Sequence, residues 1–422
     1  MLGQGDDAGA AFAIAAGSLI DGRGGPPAAD VIVRVEGGRI TAVGPAGAFG
    51  ALDVPVRDFR RQVVMPGMVD VHAHPTLPSD RRDLEGSLTD PDDLLTLTAM
   101  RQLTLHLRSG VTTVRDCAAR GRTMFAVREA IRRGYFPSPR LQLAGRAITH
   151  SGGHLHWCGS VADTLDEIRR EVRLLVSEGA DVIKVVASGG GTRGGIPYLA
   201  SYTVEELRAA VDAAHARSTQ SIENCVLAGV DAIAHVEFLA PGEIVDMGGA
   251  GAPTGLPRLD RRVAEKLAAS PAFLDLNPQS SGWDTVLLLR RKAADAGLTR
   301  SEQAQLDNLE RYFDHFLPVI GALRDLGLVD RMAFGSDAGP FDTEFGHLEY
   351  NVHLARLAGL SPMESLQTVT RNAARLLGLD REVGTVEVGK AADLLVLDAD
   401  PLADVEHLTR VTAVFRQGAR VR

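Results

Sequence analysis

Short apolar segments alternate with amphipathic helical stretches from Pro66 to about residue 377. Such alternation predicts the α/β class, with parallel strands that close into a (β/α)8 TIM-like barrel. The predicted strands are Met68–His72, Val111–Arg115, Leu141–Ala144, Val182–Val186, Ala232–His235, Ala272–Leu276 and Met332–Gly335. The main predicted helices are Asp92–Arg108, Thr123–Arg133, Thr164–Glu178, Thr203–Ala214, Glu302–Asp325 and Pro362–Leu377.

The two ends of the chain have a different pattern, with β-like runs separated by Gly- and Pro-rich turns. The N-terminal runs are Ala11–Ile20, Val31–Glu36 and Ile40–Val43, and the C-terminal runs are Gly384–Gly389, Ala392–Leu397 and Val411–Arg416. Because these segments flank the barrel, residues 1–65 and 378–422 are predicted to form one small composite β-sandwich domain around a barrel of residues 66–377.

Composition and charge exclude several classes of protein. The 422 residues carry a net charge of −9 and no basic stretch, which argues against nucleic-acid binding. No apolar run reaches the length of a membrane span. The three cysteines form no C-x-x-C pair, so a cytoplasmic protein is expected. A secreted or periplasmic origin stays open if a signal peptide has been removed.

The strand after Pro66-Gly67 ends in His72 and His74. In a strand, residues i and i+2 project from the same face, so both imidazoles point the same way. This end of a barrel strand is where active sites form. Paired imidazoles in that place favour a metal site over two ordinary polar residues.

Further polar side chains occur at the ends of other predicted strands. Lys184 lies in an apolar strand, where a bare ammonium would be costly to bury. Beside the histidine pair, the favoured hypothesis is that neutral Lys184 reacts with CO2 to give a carbamate that bridges two metals. His235 ends another apolar strand, and Asp337 follows Gly335-Ser336, where a carboxylate could bind metal and accept a proton from water.

This ordered set resembles the amidohydrolase superfamily, in the branch of metal-dependent Xaa-Pro dipeptidases and ochratoxin amidohydrolases that is related to imidazolonepropionase. Supporting stretches are Gly110–Asp116, Ile148–His154 and Gly384–Asp393. The resemblance covers nearly the whole chain. It implies a barrel with a composite β-sandwich and two divalent metal ions, usually Zn²⁺, with Lys184 carboxylated on its side-chain nitrogen.

The hypothesis for the metal site follows from that resemblance. His72, His74, the Lys184 carbamate and Asp337 would hold one metal, and the carbamate, His215 and His235 the other. His215 is ambiguous, because about ten residues that should form a strand before it are missing. Either residues 213–216 are drawn into a strand and the preceding helix is shortened, or the site lacks one ligand.

Candidate substrate contacts lie on loops that follow the strands. His154 is the favoured one of three histidines between residues 150 and 156, and Tyr198 and Tyr202 could hydrogen-bond a substrate carbonyl or carboxylate. Arg115 or Arg193 could hold a free carboxylate, which branch members that cleave C-terminal residues require.

The predicted function is a metal-dependent amidohydrolase that cleaves an N-acyl amino acid or dipeptide, of the ochratoxin, Xaa-Pro or Xaa-Arg type, by a metal-activated hydroxide. Asp337 would carry the proton to the leaving amine. Three alternatives stay open: hydrolysis of a cyclic amide such as imidazolonepropionate, hydrolysis of an ester or phosphoester, and an inactive metal-depleted homologue. The expected partners are a small-molecule substrate and further copies of the chain.

Overall fold

The computed structural model describes residues 9–81, 89–192, 196–210, 213–247 and 254–422. Of residues 213–215, 240 and 241 it describes the backbone alone. The strands are β1 Phe12–Leu19, β2 Ala28–Glu36, β3 Arg39–Pro45, β4 Val56–Pro66, β5 Met68–Ala73, β6 Val111–Asp116, β7 Arg140–Leu143, β8 Ile148–Thr149, β9 Ser160–Val161, β10 Lys184–Val186, β11 Ala213–Ser218, β12 Ala232–Val245, β13 Thr254–Pro257, β14 Phe273–Leu276, β15 Met332–Phe334, β16 Leu394–Leu397, β17 Val411–Arg416 and β18 Ala419–Arg420.

The helices lie mostly between these strands. They are α1 Asp92–Arg108, α2 Thr123–Arg132, α3 Leu165–Glu178, α4 Val204–Arg208, α5 Thr219–Ala228, α6 Arg261–Ala269, α7 Trp283–Asp295, α8 Arg300–Asp325, α9 Glu349–Leu357, α10 Pro362–Thr368 and α11 Arg371–Leu376. Among the described residues, no helix has both the length and the apolar character needed to cross a bilayer.

Strands from both ends of the chain share one seven-stranded sheet, in the order β18-β17-β16-β4-β1-β2-β3. The join is the antiparallel pairing of β4 with β16, in which Val64 lies opposite Val396. A separate apolar core lies in this part of the molecule and includes Phe12, Val33 and Phe415. The terminal segments therefore depend on each other for backbone pairing and for burial of their apolar side chains.

The strands that carry the predicted site run parallel in two sheets. One has the order β5-β6-β7 and the other β15-β14-β12-β11-β10-β8-β9, with β13 paired to β12. The chain after β15 returns to β5: the Asp337 N–H donates to the His72 carbonyl at 2.7 Å, and the His74 N–H donates to the Ala338 carbonyl at 2.8 Å. The first and last parallel strands therefore meet at the two histidines.

The ambiguous segment before His215 is a strand. The helix predicted over Thr203–Ala214 ends at Arg208, and β11 pairs in parallel with both β10 and β12. Without β11, the facing edges of its two neighbours would leave buried backbone N–H and C=O groups unpaired. Sheet pairing thus overrides the helical periodicity of the sequence, and the preceding helix is shortened.

Two other predictions about elements were wrong. The helix predicted over Pro362–Leu377 is divided into α10 and α11, because Thr370 has a non-helical backbone with φ −131° and ψ −97°. The predicted β-like run Gly384–Gly389 forms turns instead of a strand. Gly384 has φ +92°, a conformation that suits glycine in a turn and not an extended strand.

Candidate active site

His72 and His74 lie at the end of β5, and both side chains are buried. The His72 Nδ1 lies 2.8 Å from Oδ2 of Asp275, and the His74 Nδ1 lies 3.3 Å from the carbonyl oxygen of Ala118. These acceptors hold the proton on each Nδ1, and Nε2 of each ring faces Asp337. Each imidazole is thus prepared to act as a ligand through Nε2.

Asp337 lies against those same nitrogen atoms. Its Oδ1 is 3.2 Å from Nε2 of His74 and 3.7 Å from Nε2 of His72. One ligand atom from each of the three residues fits within 4.8 Å of the others. Burial alone would raise the pKa of the Asp337 carboxyl, but His72 and His74 hold that pKa well below its usual range. The carboxylate is therefore charged, as a ligand or proton acceptor must be.

Lys184 extends from β10 into the same place. Its Nζ is 3.1 Å from Nε2 of His72, and the residue is only 2% exposed. The structure thus brings Lys184, His72, His74 and Asp337 together from three different strands or strand ends, as the sequence predicts.

His235 contributes a further buried imidazole, since its ring centroid lies 5.3 Å from that of His72. Burial, and then the nearby His72, lower the pKa of His235 well below its ordinary value. His215 is in the strand beside it, with its backbone paired to Val186 and Ala234. The side chain of His215 lies outside the described part of the molecule, so its assignment as a ligand stays a prediction.

His154 lines a cavity together with His72, His74, Lys184, His235 and Asp337, and it is 8% exposed. Its Nδ1 accepts a hydrogen bond from the Thr192 N–H at 3.2 Å and lies 2.8 Å from the Thr192 hydroxyl. That hydroxyl accepts from the Leu155 N–H, so its own proton is directed at Nδ1. Burial, and then the charge of Arg217, lower the pKa of His154 to about 3. His154 is therefore neutral and carries its proton on Nε2.

The other predicted substrate contacts have different surroundings. Arg115 is buried, and its guanidinium donates to Asp275 at 2.9 Å and to the Val71 carbonyl at 2.6 Å. Arg115 therefore stabilises the His72–Asp275 pair, and its guanidinium is not placed to contact a substrate. The Tyr202 hydroxyl donates to the Ala162 carbonyl at 2.8 Å, so it too is committed within the protein.

Tyr198 and Arg193 were predicted to lie on the same loop after β10. Tyr198 is half-buried and packs at the edge of the main apolar core. It is not among the described residues that line the cavity. Arg193 lies outside the described residues, so its predicted role stays untested.

Several residues that organise the site were missed in the sequence. Asp275 accepts hydrogen bonds from both His72 and Arg115. A signal was present, because Asp275 is a lone carboxylate in a predicted apolar strand, in the same way that Lys184 is a lone cation. Burial alone would raise the pKa of Asp275, but His72 and Arg115 hold it below its usual value.

A second missed group locks β5 to the chain after β15. Asp70 accepts hydrogen bonds from the backbone N–H groups of His72 and Ser336, each at 3.0 Å. Its other oxygen accepts from the Ser336 hydroxyl at 2.6 Å and lies 2.8 Å from Nε2 of His106. Asp70 thus fixes the spacing between the histidine pair and Asp337.

One cavity unites these residues. It is lined by His72, His74, Leu77, His154, Leu155, Lys184, Gly191, Arg217, His235, Met247, Thr254, Ser280, Ser281, Asp337, Pro340 and Phe341. Its lining combines the cluster of possible ligands with apolar side chains such as Leu77, Leu155 and Phe341. A small molecule could enter with its polar group toward the cluster and its apolar part against the wall.

Known proteins resemble this chain in sequence or in structure. The model of the family described as "Amidohydrolase family" matches residues 63–421. Ochratoxinase from Aspergillus niger is 26% identical over 393 residues, covering 84% of this chain and 74% of that protein. Imidazolonepropionase from Maricaulis maris is 44% identical over 89 residues, covering 21% of this chain and 22% of that protein.

A solved structure of a Xaa-Pro dipeptidase with bound methionine in its active site superposes with a TM-score of 0.79 at 22% identity. The match covers 98% of this chain and all of that one, so the two proteins share a fold. The family model extends over most of the chain, including every described residue of the cavity. The chain belongs to the amidohydrolase family, and it is a hydrolase.

Proposed function

We propose that this hydrolase cleaves the amide bond of an N-acyl amino acid or dipeptide, at a site that holds divalent metal. The observation that carries the proposal is the convergence of His72, His74 and Asp337, with ligand atoms within 4.8 Å, beside Lys184. The similarity to ochratoxinase over most of the chain supports an amide as the substrate.

The side chains fit a metal by their chemistry. Both histidines have Nδ1 committed to an acceptor, so Nε2 can serve as a ligand. Lys184 would complete the site as a carbamate, in which neutral Nζ forms a bond to CO2 and loses one proton to solvent. That reaction replaces a costly buried ammonium with an anion, which a metal site accommodates.

When bound, a divalent metal would polarise the scissile carbonyl and lower the pKa of water. The protein supplies the remaining steps. Asp337 accepts a proton from the attacking water and returns it to the nitrogen of the leaving amine as the C–N bond breaks. The Nε2–H of neutral His154 donates a hydrogen bond to the carbonyl oxygen as negative charge develops there.

We also propose a TIM-like barrel as the architecture behind the site. The two parallel sheets would form one barrel, because backbone hydrogen bonds join Asp337 and Ala338 to the end of β5. A composite domain from residues 1–65 and 378–422 would pack beside that barrel. Active sites in such barrels form at the carboxyl ends of the strands, which is where this cluster lies.

The test is to quantify metal in the purified chain and to assay a panel of substrates. The panel contains N-acyl-phenylalanines including ochratoxin A, Xaa-Pro and Xaa-Arg dipeptides, imidazolonepropionate, and simple carboxylic and phosphate esters. We expect bound divalent metal and hydrolysis of one or more of the linear amides. Active protein without divalent metal, or activity confined to the cyclic amide or the esters, would contradict the proposal.

Carboxylation of Lys184 has a separate test. In protein prepared with ¹³C-bicarbonate, we expect a carbamate resonance in the ¹³C spectrum that disappears in Lys184→Ala. Lys266→Ala is the matched control, since Lys266 is partly exposed and pairs with Glu223 away from the cavity. A spectrum of the active wild-type protein without a carbamate signal would exclude this form of the site.

A further inference from the structure

Arg217 is an arginine in the wall of the active-site cavity whose role is not explained by metal binding. It lies at the end of β11, and its backbone N–H donates to the Ser188 hydroxyl at 3.1 Å. Its side chain is 17% exposed and lines the cavity together with His154, Lys184 and His235. It is the only arginine among the described residues that line this cavity.

Glu237 fixes the position of the guanidinium. The Arg217 Nε donates to Oε2 of Glu237 at 2.7 Å, and the Glu237 side chain is only 1% exposed. The other oxygen of Glu237 is 3.9 Å from Nδ1 of His235, so the ion pair lies directly beside the metal-binding histidines. The buried Tyr312 packs near the same pair, which further restricts movement of the guanidinium.

This pairing leaves donor capacity toward the cavity. A guanidinium has five N–H donors in a rigid plane, and Glu237 engages the Nε edge of Arg217. The terminal N–H groups have the geometry that matches a carboxylate with two parallel hydrogen bonds. Since Glu237 already balances one positive charge, the site suits a monoanion better than a dianion such as phosphate.

The rest of the cavity indicates where such an anion would be on the substrate. Leu77, Leu155, Met247 and Phe341 provide apolar lining, while the cluster of possible ligands lies beside His235, whose ring centroid is 5.3 Å from that of His72. A ligand that fits this cavity would place an amide at the cluster, an apolar side chain against the apolar lining and a carboxylate at Arg217. These three groups must therefore be close together in the ligand. An N-acylated apolar amino acid has these three groups.

On the basis of the proposed amide hydrolysis, we propose that Arg217 binds the free carboxylate of the amino acid that leaves, so that the substrate is an N-acyl amino acid and not its amide or ester. Arg217 is thereby a specificity-determining residue. Glu237 is a positioning residue that holds the guanidinium beside His235.

The experiment compares N-acetyl-L-phenylalanine with N-acetyl-L-phenylalaninamide as substrates of the metal-loaded full chain. Arg217→Lys keeps the charge but loses the planar fork. Arg217→Ala could fail to fold because it leaves Glu237 buried and unpaired. The double variant Arg217→Met/Glu237→Gln removes both charges at similar volume and avoids that penalty. Arg311→Met is the matched control, because Arg311 and its partner Glu243 are exposed and neither lines the cavity.

We expect wild type and Arg311→Met to prefer the carboxylate substrate. The double variant should lose about tenfold or more of that preference, chiefly through a higher KM for the carboxylate. Arg217→Lys should be intermediate. A wild type with no preference for the carboxylate, or a double variant that retains the preference, would overturn the assignment.

A binding measurement separates this inference from the proposed function. If wild type hydrolyses neither compound, the choice of reaction or substrate is wrong, and calorimetric titration of both compounds into the metal-free chain then decides about Arg217. Binding of the carboxylate that is tighter than binding of the carboxamide, and that is lost in the double variant, supports the assignment. Equal binding of the two compounds, or no binding of either, overturns it.

Discussion

Asp275 contacts the candidate metal site through His72 and holds that ring in place. It accepts a hydrogen bond from Nδ1 of His72 and another from Arg115, and it is fully buried. The direction of the imidazole therefore depends on a residue outside the cluster of possible ligands.

Asp275→Asn should weaken divalent metal binding about 10- to 100-fold, because the amide is a poorer acceptor for the His72 Nδ1–H. Metal affinity can be measured by competition with a fluorescent chelator. Asp330→Asn is the control, since that side chain is 70% exposed and pairs with Arg371 on the surface. Equal metal affinity in the Asp275 variant and in wild type would show that His72 is oriented by other contacts.

His154 should act as a neutral hydrogen-bond donor over the whole range in which the protein is assayed. Its pKa is lowered to about 3 by burial and then by Arg217, so the ring does not titrate between pH 5 and pH 8. We expect His154→Ala to lower kcat by about 10²- to 10³-fold, with a smaller change in KM. It should leave unchanged the pKa values that govern the pH–rate profile.

Gly190→Ala tests the position of His154 without removing it. A Cβ at residue 190 would lie 2.5 Å from Cδ2 of the His154 ring, so the ring must move. We expect kcat to fall in this variant as well, while Gly229→Ala serves as the matched control, since a Cβ there meets nothing within 4 Å. Because Gly229 has φ +80°, that control should lose some stability but keep its kcat. Full activity in Gly190→Ala would argue against the donor role of His154.

At the scale of elements, a buried carboxylate joins two helices around the parallel strands. Glu223 of α5 accepts hydrogen bonds from Arg262 at 2.5 and 2.9 Å and from Lys266 at 2.5 Å, both on α6. Those bonds, from Arg262 first and Lys266 second, lower the pKa of Glu223 to about 2.

The depressed pKa makes this contribution to stability dependent on pH. It is fully present above the unfolded-state pKa near 4.5 and is lost as pH falls toward the folded-state value of about 2. Glu223→Gln should therefore lower the free energy of unfolding by about 1–2 kcal/mol at pH 7, and the difference from wild type should shrink between pH 4.5 and 3. Urea unfolding at several pH values measures it.

Glu129→Gln is the comparison for that measurement. Glu129 contacts Arg132 and Arg133 at the end of its own helix, and its side chain is 41% exposed. Solvent screening should make its contribution smaller than that of Glu223. If Glu223→Gln lowers the free energy of unfolding by the same amount at pH 3 as at pH 7, the side chain stabilises the protein by packing and not by its charge.

The strands that deliver the site are locally distorted. His235, Val236 and Phe238 have φ values of 70°, 52° and 55°, and Asp337 has φ 50°. Such conformations cost about 1–3 kcal/mol each in residues other than glycine. A regular extended backbone would not turn within β12 at His235 or after β15 at Asp337 in this way, so the distortion accompanies the placement of both residues at the cavity.

For the molecule as a whole, a divalent metal bound at the proposed site should contribute to stability, because the proposed ligands come from strands that are far apart in the chain. A metal that binds only the folded state raises the free energy of unfolding by about 4 kcal/mol when the free metal concentration is about a thousand times its Kd. We expect a chelator to lower the Tm and abolish hydrolysis, with both restored by added divalent metal. In His74→Ala the Tm should change much less when metal is added or removed. A wild-type Tm that is the same with and without metal would exclude a metal site formed by these residues.

Much of the fold and part of the site followed from the sequence. Apolar runs of four to six residues between amphipathic helices predicted the strands at residues 68, 111 and 332 within a residue or two. The same runs made Lys184 and His72 conspicuous, because a polar side chain in an apolar strand needs a partner. The local sequence pattern predicted a segment correctly where the secondary-structure preference of that segment agreed with its burial in the fold.

Only the tertiary structure decided the course of residues 203–218 and the partners of the buried charges. The helical period of Val204–Ala214 is a local preference. The strand β11, in contrast, provides hydrogen-bond partners for backbone groups of β10 and β12, which come from other parts of the chain. Likewise, Arg115 and Arg217 are both arginines near the ends of strands in the structure. One pairs behind His72 and the other lines the cavity, because the pairing of a buried charge depends on contacts between residues distant in the chain.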